Sequence, residues 1–261
     1  MASKLSISKA WDETRSILAR DGRLFATVAA ALLILPGIVR DLVTPATRPG
    51  QMPPPGAWMI VWLITVLVAI VGQIALTRLA LANRSTVGDA ISHAARRTPV
   101  YFAGQLIWLI PFAIGLLLVM PGVQHKSGPA SLAFLIGFCF FVYISIRMLL
   151  TAVVASQEAV GPVALLQRSW NLTAGSWLRL FGFFVLFVIG AGILMLATLT
   201  VVGLLVKAIS GDLEPFSLGA LLVSLATQIV LAAVYVVLMA MVARLYAQAA
   251  GGEPVVPSTG T

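Results

Sequence analysis

Charge is scarce in this chain. Only 10% of its 261 residues are Asp, Glu, Lys or Arg and 60% are hydrophobic, whereas soluble domains carry about 25% charged and about 45–50% apolar residues. That shortage excludes a soluble two-domain protein, because most side chains must face lipid or other spans. Histidine and cysteine are as sparse. The two histidines, His93 and His125, fall on opposite sides of the expected membrane and leave little material for a His-based metal site. The nine acidic residues are scattered, so the clustered carboxylates and histidines of a metal-dependent phosphodiesterase are missing. An intramembrane serine protease needs a nucleophile and a histidine at membrane depth, and neither histidine lies inside an apolar run. HExxH, the P-loop and GxGxxG in strand context are missing too. The lone Cys139 sits in an apolar run, so no intrachain disulfide can form and the redox compartment is left open. These absences predict a protein that is not an enzyme and that holds neither cofactor nor metal.

The chain does have six apolar runs long enough to cross roughly 30 Å of hydrocarbon at about 1.5 Å per residue, over 24–43, 57–80, 100–120, 132–154, 178–207 and 216–245. The predicted fold is all-α: a polytopic membrane protein with six transmembrane helices in three hairpins, each preceded by an in-plane amphipathic cytoplasmic helix. The connector 44–55 (TPATRPGQMPPP) cannot continue a helix. The turn 121–130 is short and polar, and the loop 210–215 carries Asp212 and Glu214. Residues 1–249 read as one membrane domain, followed by a Gly/Pro/Ser/Thr-rich tail at 250–261 that is expected to be disordered. The charged leader before Leu24 is long for a cleaved signal peptide and the run after it is already span-like, which predicts a retained signal anchor.

A net charge of +8 would suggest nucleic acid in a soluble protein. No basic–aromatic surface or RNA-binding motif accompanies it, and basic residues flank membrane spans on the cytoplasmic side, so no nucleic-acid partner is expected. Of the seventeen Lys and Arg, Arg40, Arg48, Lys126 and Lys207 fall on one side of the six runs and the other thirteen on the side holding the N-terminus. Both termini are therefore placed in the cytoplasm.

One pattern is written three times, over 1–83, 84–157 and 158–249. An apolar–x3–Trp/Ala–x2–Thr stripe (Ile7, Trp11, Thr14; Ile91, Ala95, Thr98; Leu166, Trp170, Thr173) precedes each pair of runs. Positions i, i+4 and i+7 share a helical face, which suits a helix lying at the headgroup boundary with Trp11, Thr14, Thr98, Trp170 and Thr173 interfacial. Thr86 to Asp89 reads as a capping box, with the helix stopping at Pro99; Pro162 opens the third stripe helix and Gly175 closes it. The first run of each pair begins near a Phe and weakens at Pro36, Pro111 or the Gly190/Gly192 pair, predicting a bend at similar depth. The second run of each pair ends near an arginine: Arg78, Arg147 and Arg244. Chance likeness between apolar segments is the alternative to a true repeat.

Threefold packing would bring those three arginines around one axis, where mutual repulsion calls for an anion such as a lipid phosphate; the alternative is that each anchors its own span by snorkelling. Arg147 lies about ten residues before Gln157, roughly 15 Å along a helix, which strains that reach. Gln73, Gln105, Ser145 and Gln228 lie at membrane depth, either bonded between helices or along a substrate path. Ala220, Ser224 and Gln228 share a face suited to close helix contact.

The stretch from Glu158 to Gly175 (EAVGPVALLQRSWNLTAG), with Trp177-Leu-Arg-Leu-Phe181 after it, resembles the cytoplasmic segment of a bacterial membrane-domain family. That family is named for the membrane region found beside some glycerophosphoryl diester phosphodiesterases. The STVGDA stretch at 85–90 and the basic residues after it resemble the family's earlier loop. Ala174 departs from the small polar or basic residue usual there. The resemblance implies a membrane region over nearly the whole chain and carries over no catalytic residue, because the family's chemistry belongs to a separate soluble domain.

Two functions follow. The first is a non-catalytic module organising membrane lipids, anionic ones included, or a partner protein or second copy at the cytoplasmic face. The second is a transporter or lipid-handling carrier, which needs a polar cavity at mid-membrane containing Arg147 and Gln73. The charge asymmetry predicts that Thr47→Cys labels with an impermeant thiol reagent in intact cells while Ser258→Cys does not; reversed labelling would overturn the orientation.

Overall fold

The computed structural model describes residues 5–45, 54–82, 86–210 and 217–251. The expectations for the 44–55 connector, the 210–215 loop and the tail therefore fall wholly or largely outside the described residues. Every described element is helical, and six helices are long and apolar enough to cross a membrane. The chain is a multi-pass membrane protein.

Helix α1 (Ile7–Ala29) starts where the Ser6 hydroxyl accepts from the Lys9 amide at 3.3 Å. It runs through a π-helical turn (Ala30–Ile34) into α2 (Leu35–Val43), giving 37 continuous helical residues. Pro36 has no N–H for the carbonyl four residues back, and the looser π turn just ahead of it absorbs that loss. Helices α3 (Trp58–Leu81) and α4 (Val87–Gln124) follow. The Thr86 hydroxyl caps α4 by accepting from the Asp89 amide at 3.1 Å and donating to the Asp89 carboxylate at 2.6 Å. Beyond α5 (Gly128–Arg147) come two short helices, α6 (Thr151–Gln157) and α7 (Pro162–Thr173). The long α8 (Trp177–Ser210) and α9 (Leu218–Ala249) complete the fold. Gly175, between α7 and α8, takes the left-handed φ of 77° that the sequence reserved for a glycine.

Three features differ from the sequence expectation. The first stripe helix does not stand apart from its span, because α1 continues into α2 without a break. The second does not stop at Pro99, which lies inside α4 together with Pro111 and Pro121. Proline deletes one hydrogen bond per site, and the carbonyl freed by Pro99 belongs to Ala95, an exposed residue that water can serve. Only the third stripe helix, α7, is a separate element. The third difference is in the fourth apolar run, expected unbroken over 132–154: α5 ends at Arg147 and a turn at 148–150 leads into α6.

Helix α3 is central and packs on α1, α2, α4, α6 and α9; α4 packs on α5, and α8 on α9. Buried side chains concentrate at the end that carries Ser6, Arg78, Arg97 and Gln248, here termed the basic end. Phe25, Leu76, Leu150, Leu165 and Leu245 are all fully buried there. The start of α1 meets the end of α9, with the Ser6 amide donating to Gln248 Oε1 at 2.8 Å and Gln248 Nε2 donating to the Ser6 carbonyl at 3.2 Å. Toward the far end fewer side chains are buried. No residue in the apolar window of α4 is buried, and Leu117, Leu118 and Leu196 stay 73%, 77% and 68% exposed. Lipid tails cover such side chains as well as protein does, so no hydrophobic force draws them together.

Polar groups at depth are engaged. Tyr101 donates to Gln73 Oε1 at 3.2 Å and accepts from Gln105 Nε2, and Gln105 Oε1 accepts from Trp108 Nε1. Near the far end Asp41 Oδ2 accepts from Ser224 Oγ at 3.0 Å and from Gln228 Nε2 at 2.7 Å. Gly37 lies directly against the Gln228 amide, where an added Cβ would collide with it. Gly37→Ala would push the Gln228 amide off Asp41, and losing a hydrogen bond to a charged group, about 1.5–3 kcal/mol, less about 1 kcal/mol of helix propensity gained, is expected to lower the thermal midpoint of the detergent-solubilised protein by a few degrees. Gly115→Ala, with open space around its position, should not lower it. Equal midpoints for the two variants would refute this α2–α9 contact.

Candidate functional site

The basic end is held together by cations around one short helix. α6 has seven residues, and Thr151 to Ser156 are all buried. The last carbonyls of a helix have no partner within it, and in a buried place each would be costly to leave unpaired. Arg97, from the first third of α4, answers three of the carbonyls there. Its Nε donates to Ala155 O at 3.1 Å, and its Nη2 donates to Glu158 O and Val160 O, each at 2.8 Å. Ser156 O accepts from Arg78 Nη1 at 3.3 Å and lies 3.0 Å from His93 Nε2. A carbonyl only accepts, so that ring nitrogen carries the proton. His93 and Arg97 are spaced i, i+4 on one face of α4. Positive charge at this position also complements the negative end of the α6 dipole.

The Glu158 carboxylate fixes the chain as it leaves α6. Its Oε1 accepts from Arg168 Nε of α7 at 2.9 Å and from the Tyr246 hydroxyl of α9 at 2.8 Å. The hydrogen bond to Glu158 holds the Arg168 guanidinium above its already high range. Four elements (α3, α4, α7 and α9) thus converge on the end of α6.

Arg147 occupies a different setting. Its guanidinium lies 4.7 Å from the Trp170 ring centroid and 5.5 Å from that of Tyr143. It donates to the Tyr143 hydroxyl at 3.1–3.2 Å and to Trp170 O at 3.3 Å, and it reaches Thr173 Oγ1 at 3.5 Å. The Arg147 carbonyl, left open where α5 stops, accepts from Ser169 Oγ at 2.7 Å. The break in the fourth run therefore sits against α7, and Arg147 bridges the two.

Arg244 has a third set of partners. Its Nε lies 3.2 Å from Glu13 Oε2 of α1, an off-axis approach that leaves this buried nitrogen without an aligned acceptor. Beside the pair an open cavity of about 370 Å³ lies between α1, the end of α3 and α9. Arg78, Arg147 and Arg244 thus share no partner, and of the three only Arg244 lines this cavity.

The stripe residues also part company. Thr14, Thr98 and Thr173 are buried in the protein, with Thr98 donating to Ala94 O at 2.9 Å and Thr173 to Ser169 O at 3.0 Å. The threonine of each stripe turns inward, contrary to the interfacial expectation: once the stripe helix continues into a span or packs on one, its apolar face meets core. Trp11 is 48% exposed, whereas Trp170 is half-buried against Arg147. In sequence, Arg97 and Arg168 serve only as topology markers, Glu158 as a motif letter and His93 as a histidine too isolated to build a metal site. The strained reach of Arg147 was the available signal, and a helix that ends at that residue accounts for it.

Among the described residues, no group of three His, Cys, Asp or Glu is placed to hold a metal ion. Comparison with protein-family models, curated proteins and solved structures finds no match. The family resemblance rests on the short motifs that carry it.

Removing the Arg97 guanidinium would leave three carbonyls at the α6 end without it. Arg97→Ala is expected to destabilise the protein by on the order of 3 kcal/mol, since single hydrogen bonds to charged groups contribute about 1.5–3 kcal/mol. Arg97→Lys should recover only part of this, because an ammonium cannot reproduce the planar fork. Full recovery by lysine in thermal unfolding would mean that charge alone matters.

Proposed function

We propose that the chain is a non-catalytic membrane module that organises lipid or a partner protein at its basic end, and that this end faces the cytoplasm of a bacterial inner membrane. The observation that carries the reading is where order and charge are concentrated. The packed core and the arginine contacts lie together at one end, while the far halves of α4, α5 and α8 expose apolar side chains. In this reading the three runs of paired spans are duplicated hairpins, and α7 lies in the plane of the interface with Trp170 at its surface. The likeness of 158–181 to the membrane region found beside glycerophosphoryl diester phosphodiesterases favours the same assignment.

The carrier reading needs a polar path at depth. Against it, Gln73, Gln105 and Gln228 are bonded to neighbouring side chains, and the cavity described above lies at the basic end with neither Arg147 nor Gln73 in its lining. Arg147 itself has no carboxylate within ion-pair distance among the described residues, so a lipid phosphate beside it meets no competitor.

Native mass spectrometry of the protein extracted in mild detergent tests the module reading. Retained phospholipid, or a second subunit in fixed ratio, is the expected result. A bare monomer that moves solute across proteoliposomes would reverse the choice in favour of the carrier.

A further inference from the structure

The cavity between α1, α3 and α9 lies at the level where these helices leave their apolar runs. Ile17 and Arg20 come just before Leu24, Leu81 is the last residue of α3, and Arg244 is in the last turns of α9. Its charged lining has the carboxylates of Asp12 and Glu13 beside the guanidiniums of Arg20 and Arg244, with Asp21 2.8 Å from Arg20 and Lys9 3.9 Å from Glu13 keeping the two signs balanced, and Ile17 and Leu81 form an apolar wall. Two of these groups are under-used. Asp12 makes no hydrogen bond or ion pair among the described residues, and the buried Arg244 Nε has no aligned acceptor.

A simple anion in this cavity would meet two carboxylates, and a simple cation two guanidiniums. The lining suits a ligand that carries both charges a few ångströms apart. The cationic part should be a primary ammonium, which can donate to carboxylates; a quaternary one prefers an aromatic cage, and no aromatic residue lines the cavity. The anionic part should be a phosphate, which guanidinium groups hold in a fork. The volume is at the low end of the roughly 300–1,000 Å³ usual for ligand sites, large enough for a headgroup while acyl chains stay outside over the apolar wall.

We propose that this cavity binds a phosphoethanolamine group, its phosphate on Arg244 and Arg20 and its ammonium on Asp12 and Glu13. The group can come from a phospholipid or from the free compound. The proposal rests on the reading of the basic end as a lipid-handling face and names the headgroup it takes.

The test titrates the full chain, stripped of lipid in detergent, with phosphatidylethanolamine, phosphatidylcholine and phosphatidylglycerol of identical acyl chains, read by native mass spectrometry. Phosphatidylethanolamine is expected to bind about tenfold better than either, the size of one charge-assisted hydrogen bond. Arg244→Gln should lower its binding by a similar factor. Asp12→Asn changes an exposed side chain that the fold does not engage, and it should abolish the preference over phosphatidylcholine while Arg15→Gln, outside the cavity, preserves it. Free phosphoethanolamine that binds and displaces the lipid supports the site with either source; binding of the lipid alone supports the membrane source. Equal binding of the three lipids, or a preference that survives both Arg244→Gln and Asp12→Asn, overturns this proposal. The wider reading fails separately, only if the protein as extracted retains neither lipid nor subunit.

Discussion

The organisation of the basic end depends on one constraint: the last carbonyls of a helix cannot be buried without donors. α6 is short and almost entirely enclosed, so those donors must come from neighbouring elements. Arg97 donates to Ala155 of α6 and to Glu158 and Val160 just beyond it, and Arg78 and His93 share the Ser156 carbonyl. Because these side chains come from α3 and α4, the requirement of one small helix fixes how two spans approach each other. Glu158 then extends the fastening to α7 and α9.

The contrast between the two ends follows from their different solvents. At the basic end α1 and α4 extend well past their apolar runs: the continuous 37-residue helix from α1 through α2 and the 38-residue α4 are each about 55 Å long against a hydrocarbon core of about 30 Å. Those extensions meet water, and burying Ile17, Ala90, Ala94 or Leu165 there is driven by the hydrophobic effect. Within the bilayer the tails are as apolar as leucine, so α8 can leave most of its length unpacked. The core therefore joins residues of these extensions, such as Ile17 and Ala94, to the basic-end stretches of the apolar runs, where Ile74, Leu76, Val153 and Ala240 are buried beside them.

Much of this was legible in the sequence, because hydropathy and proline chemistry are local. The six apolar runs, the Thr86 cap and the glycine after α7 could be read from neighbouring residues alone. The unbroken passage through Pro99 could not, since it depends on Ala95 being exposed in the folded chain. The break after Arg147 was hidden for a related reason: Met148, Leu149 and Leu150 are as apolar as the residues before them, and the hydroxyl that donates to the last carbonyl of α5 is on Ser169, twenty-two residues later. The partners of Arg78, Arg147 and Arg244 were equally out of reach. Each arginine looks alike in sequence, yet one meets a carbonyl, one an aromatic pair and one a carboxylate.

The pairing of Ser6 with Gln248 spans 242 positions. Such a contact closes nearly the whole chain into a loop, and its entropic cost must be met before it contributes anything. During synthesis the first helix therefore emerges with part of its final neighbourhood not yet made: Ala10 packs with Met241 and Leu245, which arrive only with the last helix. A nascent chain that has threaded five spans still holds an incomplete basic end. The neighbourhood of α1 is in that sense completed late, once α9 has been delivered to it.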